Sequence, residues 1–193
     1  MHEQALIRRL QEGDPTAVDE LVDEYKAPLF AFIMRLVNNH DMAEDLFQET
    51  WIKVIRSVRR FRGDSKLSTW LFQVALNHCR DEMRKKRYIH VPLEEIEELA
   101  GDSTPDPERL HLAKEVQKIV EGLPIKMREV VVLKYYHDLM DEEIASVAGI
   151  PAGTVKSRLH RARTEMAHLW IEQNTPAVPV ERKRHDNAQS PAF

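Results

Sequence analysis

Apolar positions recur at helical spacing along most of the chain. Leu21, Val22, Tyr25, Leu29, Phe32, Ile33 and Leu36 fall on one helical stripe. Asp14-Pro15 ahead of it supplies an N-cap followed by proline at the first helical position. A short helix from about Glu3 to Gln11 precedes this one. Asn38 to Asp41 breaks the pattern, with Asp41 as the expected cap of a helix from Met42 to about Val58. Phe61 to Ser65 reads as a loop, followed by a helix from about Lys66 to Lys86. Pro92, Gly101 and Pro105, set among Glu94, Glu95, Glu97 and Glu98, mark a linker. Asp106-Pro107 repeats the cap-and-proline signal and opens helices over about 107–121, 125–136, 141–148 and 152–172. From Asn174 onward three prolines and little periodicity read as a disordered tail. The predicted fold is all-α. Two small helical domains, 1–88 and 107–172, are joined by a flexible acidic linker, 89–106, and followed by the tail, 173–193.

Composition narrows the class. The chain has 193 residues, 28 basic and 32 acidic side chains, and a net charge of −4. No run approaches the roughly 18–20 apolar residues of a membrane helix. The first residues, MHEQALIRRLQEGD, lack the apolar core of a secretory signal. The single cysteine, Cys79, excludes an intrachain disulfide and a cysteine-rich zinc site. These features predict a cytoplasmic protein without direct membrane insertion.

The small net charge hides segregation, and local patches decide binding to nucleic acid. Residues 1–51 hold 4 basic and 11 acidic side chains, 52–87 hold 11 and 3, and 88–108 hold none and 7. This alternation suggests that acidic segments 1–51 and 88–108 shield the basic stretch in the free protein.

Residues 141–170 have helix-turn-helix form. Ile144, Ala145 and Ala148 give the first helix an apolar face, and Gly149 suits a left-handed turn. On the second helix Val155, Leu159, Ala162, Met166 and Leu169 form the buried stripe. Lys156, Ser157, His160 and Arg161 fall opposite, flanked by Arg158 and Arg163. Such a face of donors suits a helix lying in a major groove.

The helix 66–86 carries Leu67, Leu71, Val74, Ala75, His78 and Cys79 on one side. Lys66, Thr69, Gln73, Asn77, Arg80 and Arg84 recur on the other, a polar stripe four to five turns long. Arg59, Arg60 and Arg62 lie upstream, and Phe61, Trp70 and Phe72 are interleaved. Basic charge with aromatic stacking surfaces suits unstacked single strands, although Trp70 and Phe72, each taken alone, are better read as core. Asp45, Gln48, Glu49 and Ile52 share the outer face of the helix 42–58. An isoleucine ringed by polar groups suggests a protein-docking spot.

These residues resemble the extracytoplasmic-function group of bacterial sigma factors in the sigma-70 family, the small two-domain type. The matching strings are Ala43 to Thr50, Phe61 to Asp64 with Ser68 to Leu71, and Gly149 to Arg163. The resemblance spans about residues 5–88 and 107–171. It implies an RNA polymerase sigma factor that directs promoter-specific initiation, in a stress or envelope response, with no catalytic residues, metal or cofactor. Asp45, Gln48, Glu49 and Ile52 would dock on the clamp helices of the largest subunit of core RNA polymerase. Arg62, Lys66, Thr69, Trp70, Gln73, Asn77, Arg80 and Arg84 would melt and hold the −10 element of promoter DNA. Thr154, Lys156, Ser157, His160, Arg161 and Arg163 would read the −35 element. The apolar surface of residues 107–136 would meet the flap of the second-largest subunit. The resemblance also implies an anti-sigma factor, which can hold the chain at the membrane. The charge alternation adds the expectation that docking on polymerase separates the two domains and exposes both DNA faces. One departure is Met140, where the family often has a Ser or Thr cap; Asp141 compensates at the helix start.

Three alternatives compete. A conventional helix-turn-helix regulator leaves the Asn77 stripe and the Asp45 face unexplained. An enzyme lacks support, since the nine histidines form no His-Glu-x-x-His pattern and no glycine-rich phosphate loop is present. An adaptor with a degenerate DNA face predicts that charge reversal at Lys156 or Arg161 changes nothing in transcription.

Overall fold

The computed structural model describes residues 2–85 and 107–175. Among them lie eight α-helices and no strand: α1 (His2–Glu12), α2 (Pro15–Val37), α3 (His40–Ser57), α4 (Leu67–Lys85), α5 (Pro107–Gly122), α6 (Ile125–Tyr135), α7 (Asp141–Ala148) and α8 (Ala152–Asn174). A 3-10 turn, Val58–Arg60, follows α3. The predicted linker and all of the tail beyond Thr175 lie outside the described residues; α8 itself continues to Asn174, two residues past its expected end.

The helix starts follow their local chemistry. The Asp14 carboxylate accepts from the Thr16 N–H at 2.9 Å, and Arg9 donates to the same carboxylate at 2.9 Å. These hydrogen bonds hold Asp14 down at about 2. Asn39, not Asp41, caps α3. Asn38 turns left-handed at φ 50° and ends α2, which leaves Asn39 extended with its side chain accepting from the Met42 N–H at 2.8 Å. Asp41 sits in the first turn, where a negative charge favours the helix N-terminus. Before α7 the Met140 side chain makes no capping hydrogen bond. Glu143 reaches back to the Met140 N–H at 2.8 Å, and Asp141 lies in the first turn.

In the N-terminal half α2, α3 and α4 pack on one another, and α1 covers α2 and the 3-10 turn. Leu21, Phe32, Leu36, Val54, Leu71 and Ala75 are buried there. Each large apolar side chain removed from water this way contributes about 1.5–3 kcal/mol before the entropy of ordering is counted. In the C-terminal half α6 is central, against α5, α7 and α8. Its Val130, Val131, Val132 and Leu133 are all buried. No single apolar stripe would explain four successive buried residues; α6 is covered by α8 within its own half and by α2 of the other.

The two halves pack together. The His137 ring sits 4.5 Å from the Phe72 ring and 5.5 Å from that of Phe32. The Arg35 guanidinium lies 4.3 Å over the Tyr136 ring. Buried Arg128 donates to the Leu36 carbonyl at 2.9 Å, and to the carbonyls of Glu121 and Leu123. The contact combines edge-on and tilted ring packing with hydrogen bonds from the two terminal nitrogens of a buried guanidinium.

Candidate nucleic-acid interface

Helix α8 presents its predicted face. Val155, Leu159 and Ala162 are buried, and Met166 and Leu169 pack partly against them. The hydrophobic back fixes the helix, so Lys156, Ser157, His160, Arg161 and Arg163 are exposed on the front and flank, and Thr154 is half-buried. Gly149 makes the turn into α8 possible. It takes φ 66° and ψ 39°, the left-handed conformation that a side chain disfavours. Ser157 donates only to the Thr154 carbonyl of its own helix, at 3.0 Å.

Helix α4 departs from expectation. Asn77 and Arg84 are exposed and Arg84 pairs with Asp81 on its own helix. Arg62 is exposed in the preceding loop. Thr69, however, is buried at 4 %, so it does not belong to an open stripe. The contact between the halves covers that side of the helix. Phe61 and Phe72 are buried too, and half-buried Trp70 tilts against Phe61 with ring centres 5.1 Å apart. Phe72 thus follows the core reading, Phe61 is buried with it, and Trp70 alone keeps a partly open face.

Three members of the stripe meet the other half of the chain. Arg80 grips the Glu129 carboxylate with two prongs, Nε to Oε1 at 2.8 Å and Nη2 to Oε2 at 2.7 Å. Its Nη1 donates to the Ala148 carbonyl at 3.0 Å. These bonds raise the Arg80 pKa, chiefly through Glu129. The Gln73 amide donates to the Ser146 carbonyl at 3.2 Å. Lys66 pairs with Glu143 at 2.7 Å, which raises the lysine and lowers the carboxylate. The carboxylates that pair with Arg80 and Lys66 therefore come from α6 and α7, and from residues 1–51 Glu3 adds only a weaker attraction on Lys66. The other proposed shield, 88–108, lies almost wholly outside the described residues. The Glu3 carboxylate does reach α4, but to accept from the Leu67 N–H at 2.6 Å.

On α3, Asp45, Gln48, Glu49 and Ile52 are all exposed, as expected. Ile55 joins them at 44 % beside Ile52 at 47 %, so the apolar centre is a pair. Its spacing of three from Ile52 was the available signal. His78 is a core histidine, 3 % exposed. Its Nδ1 contacts the Lys53 ammonium, and its Nε2 lies 3.0 Å from a Glu49 carboxylate oxygen without an aligned hydrogen bond. Burial, then Lys53, lowers its pKa. Buried Cys79 is pushed up to about 12 by burial and is an inert thiol.

Sequence reasoning missed Arg128, Glu129 and His137. Arg128 and Glu129 stand just before the apolar run Val130 to Leu133, and the groups that meet them across the halves, the Leu36 carbonyl on α2 and Arg80 on α4, are distant in sequence. Among the described residues no group of three or more His, Cys, Asp or Glu side chains could hold a metal. None of the described helices is long and apolar enough to cross a membrane.

Comparison with known proteins agrees with this arrangement. Residues 21–88 match the family described as Sigma-70 region 2, and residues 113–166 match Sigma-70, region 4. The chain is 35% identical over 173 residues to the RNA polymerase sigma-H factor of Pseudomonas aeruginosa, covering 83% of this chain and 90% of that protein. It is 34% identical over 169 residues to the ECF RNA polymerase sigma factor SigW of Bacillus subtilis, covering 81% and 90%. The solved structure of the sigma factor RpoE of Bartonella quintana, in complex with the anti-sigma factor NepR, superposes with a TM-score of 0.66. It has 27% identity and covers 79% of this chain and 95% of that one. The chain belongs to the sigma-70 family of RNA polymerase sigma factors, in its extracytoplasmic-function group.

Proposed function

We propose that this sigma factor works through four surfaces, on a chain divided into a region 2-like domain at 1–88, a linker at 89–106 and a region 4-like domain at 107–172. The exposed α3 face of Asp45, Gln48, Glu49, Ile52 and Ile55 docks on the clamp helices of core RNA polymerase. An apolar centre with a polar rim supports a protein partner there. The loop before α4 and the stripe of Lys66, Trp70, Gln73, Asn77, Arg80 and Arg84 melt the −10 element and hold its strand. The front of α8 reads the −35 element through Lys156, Ser157, His160 and Arg161, with Thr154 and Arg163 at its edges.

A cleft of about 340 Å³, lined by Val116, Val120, Val131, Tyr135, Arg163 and Met166, offers the apolar surface for the polymerase flap. An anti-sigma factor is a further partner; the Bartonella relative was solved bound to one. The protein acts in the cytoplasm without catalysing a reaction and needs no cofactor, and the response it serves is to stress or to damage of the envelope.

The observation that carries this reading is the donor face of α8, all four central residues exposed on an apolar-backed helix. The test of the melting stripe is Asn77→Ala in a reconstituted polymerase. Open-complex formation should fall while affinity for core polymerase holds. Equal loss of both, or of neither, contradicts the assignment.

A further inference from the structure

The loop that the proposed function gives to the promoter strand is held at both ends by one helix. Residues 61–66 run between the 3-10 turn and α4. Where the loop starts, the Gln11 amide donates to the Phe61 carbonyl at 2.6 Å. Where it ends, the Glu3 carboxylate accepts from the Leu67 N–H at 2.6 Å. Between these two points Arg62, Gly63, Asp64 and Lys66 are exposed. Both holding residues belong to α1, which lies ahead of the residues 21–88 that match region 2.

We propose that α1 is a splint for the strand-binding loop, with Gln11 and Glu3 as positioning residues that set the preference for bases of the −10 element. The inference rests on the strand-binding role given to the loop and α4. The chain from Phe61 to Leu67, if free, could stretch to about 20 Å. The stretch of α1 from Glu3 to Gln11 has a fixed length of about 12 Å. Tying both ends of the loop to a helix removes much of its freedom before DNA arrives, so less ordering entropy is lost when a base is captured.

Glu3 also supplies what α4 lacks. The first turn of α4 holds no acidic residue, and the side chain of Lys66 just before it has no acceptor. The Glu3 carboxylate satisfies the first N–H of α4 and favours the positive end of the helix. Trp70 follows one turn later. The other tie reaches the same tryptophan, because Phe61 is buried and its ring lies 5.1 Å from that of Trp70. Gln11 therefore fixes both the point from which Arg62 projects and the surface on which Trp70 rests. Gly13, just past α1 at φ 81°, leaves room for the Arg59 side chain of the turn; a Cβ there would stand 2.7 Å from Arg59 Nη2.

The splint is itself anchored. Leu6 and Leu10 are buried, and Arg9 donates to Asp14 at 2.9 Å, to Glu20 at 2.6 Å and to the Thr16 hydroxyl at 2.8 Å. Cutting either tie to the loop thus leaves α1 seated and frees the loop alone.

The test is transcription in vitro by core polymerase reconstituted with the full chain, at fixed salt. The templates are a promoter that the wild-type chain uses and its single-base substitutions at −10 and −35. Gln11→Ala and Glu3→Ala should each reduce discrimination among the −10 templates about three- to tenfold, the scale of one net hydrogen bond. The −35 preferences and the affinity for core polymerase should hold. Glu3→Gln keeps an acceptor oxygen for the Leu67 N–H and should retain wild-type discrimination. Gln11→Glu keeps the length but not the donor, and should behave as Gln11→Ala does. Should Gln11→Ala fail to fold by circular dichroism, Glu3→Ala against Glu3→Gln decides alone. A uniform fall on every template with the −10 profile intact, no change in folded variants, or equal loss from Glu3→Gln and Glu3→Ala overturns the splint. Arg62→Ala and Trp70→Ala separate the two failures. If they flatten the −10 profile while the α1 variants do not, only the splint falls; if they too leave it unchanged, the strand-binding role of the loop falls with it.

Discussion

The Arg80 guanidinium and the Glu129 carboxylate meet in a two-pronged ion pair, 2.8 and 2.7 Å, between residues 49 positions apart in the chain. The pair joins α4, the helix of the polar stripe, to the central helix of the other half. Its carboxylate is buried and its guanidinium about a third exposed. Such a pair couples its members through geometry as well as charge. A double-mutant cycle with Arg80→Ala and Glu129→Ala, read by denaturant unfolding, should give a coupling of about 1–3 kcal/mol. Additive effects would mean that the pair is incidental to the packing of the halves.

His137 makes the same contact sensitive to acid. Burial, and then the charge of Arg35, lowers its pKa to about 4, so the ring is neutral between Phe32 and Phe72. The unfolded ring titrates near 6.5, so the unfolded chain binds the proton first. The stabilisation is complete above about 6.5 and is lost as pH falls towards 4. His78 is lowered as well and contributes in the same direction. His137→Phe should therefore flatten, but not abolish, the fall in melting temperature between pH 7 and 5. An unchanged pH profile would show that the ring is not neutralised by its socket.

The α3 face should separate binding from folding. Asp45→Ala with Gln48→Ala alters two exposed side chains and no core contact. Core polymerase affinity should drop about tenfold or more, as for residues at the centre of an interface, with the melting temperature unchanged. Intact affinity would move the docking surface elsewhere.

Arg161 and Arg158 should differ. Arg161 is exposed on the front of α8, whereas Arg158 is half-buried near Glu129. Arg161→Ala should cost about 1–3 kcal/mol of promoter binding if it contacts a base, with relaxed preference at one position. Arg158→Ala should act more on stability. Electrophoretic mobility shifts with base-substituted −35 duplexes, beside thermal melts, distinguish the two.

Much of this architecture was legible because its signals are local. Asp14-Pro15, Gly149 and the stripe Val155, Leu159, Ala162 each act within a turn or two, and the structure keeps all of them. The α3 and α8 faces were legible for the same reason, since periodicity alone separates their inner and outer sides. Asn39 displaced Asp41 as a cap because Asn38 adopted a left-handed backbone, which its neighbours did not announce. The α4 stripe was legible as a stripe, but the residues that meet it were not. Whether Thr69 is buried, and whom Arg80 meets, depends on residues 49 or more positions away. Charge segregation was real, but the blocks were too coarse. The carboxylates that reach the stripe from the other half, Glu129 and Glu143, lie in residues 109–150, which hold 6 basic and 7 acidic side chains.

The most direct measurement is transcription in vitro from many templates by purified bacterial core polymerase, with and without the chain. A promoter-selective sigma factor predicts discrete new start sites that require it, with shared sequences near −10 and −35 upstream. Absence of chain-dependent starts with a competent core polymerase and a broad template set, together with specific duplex binding by the chain alone, would contradict it.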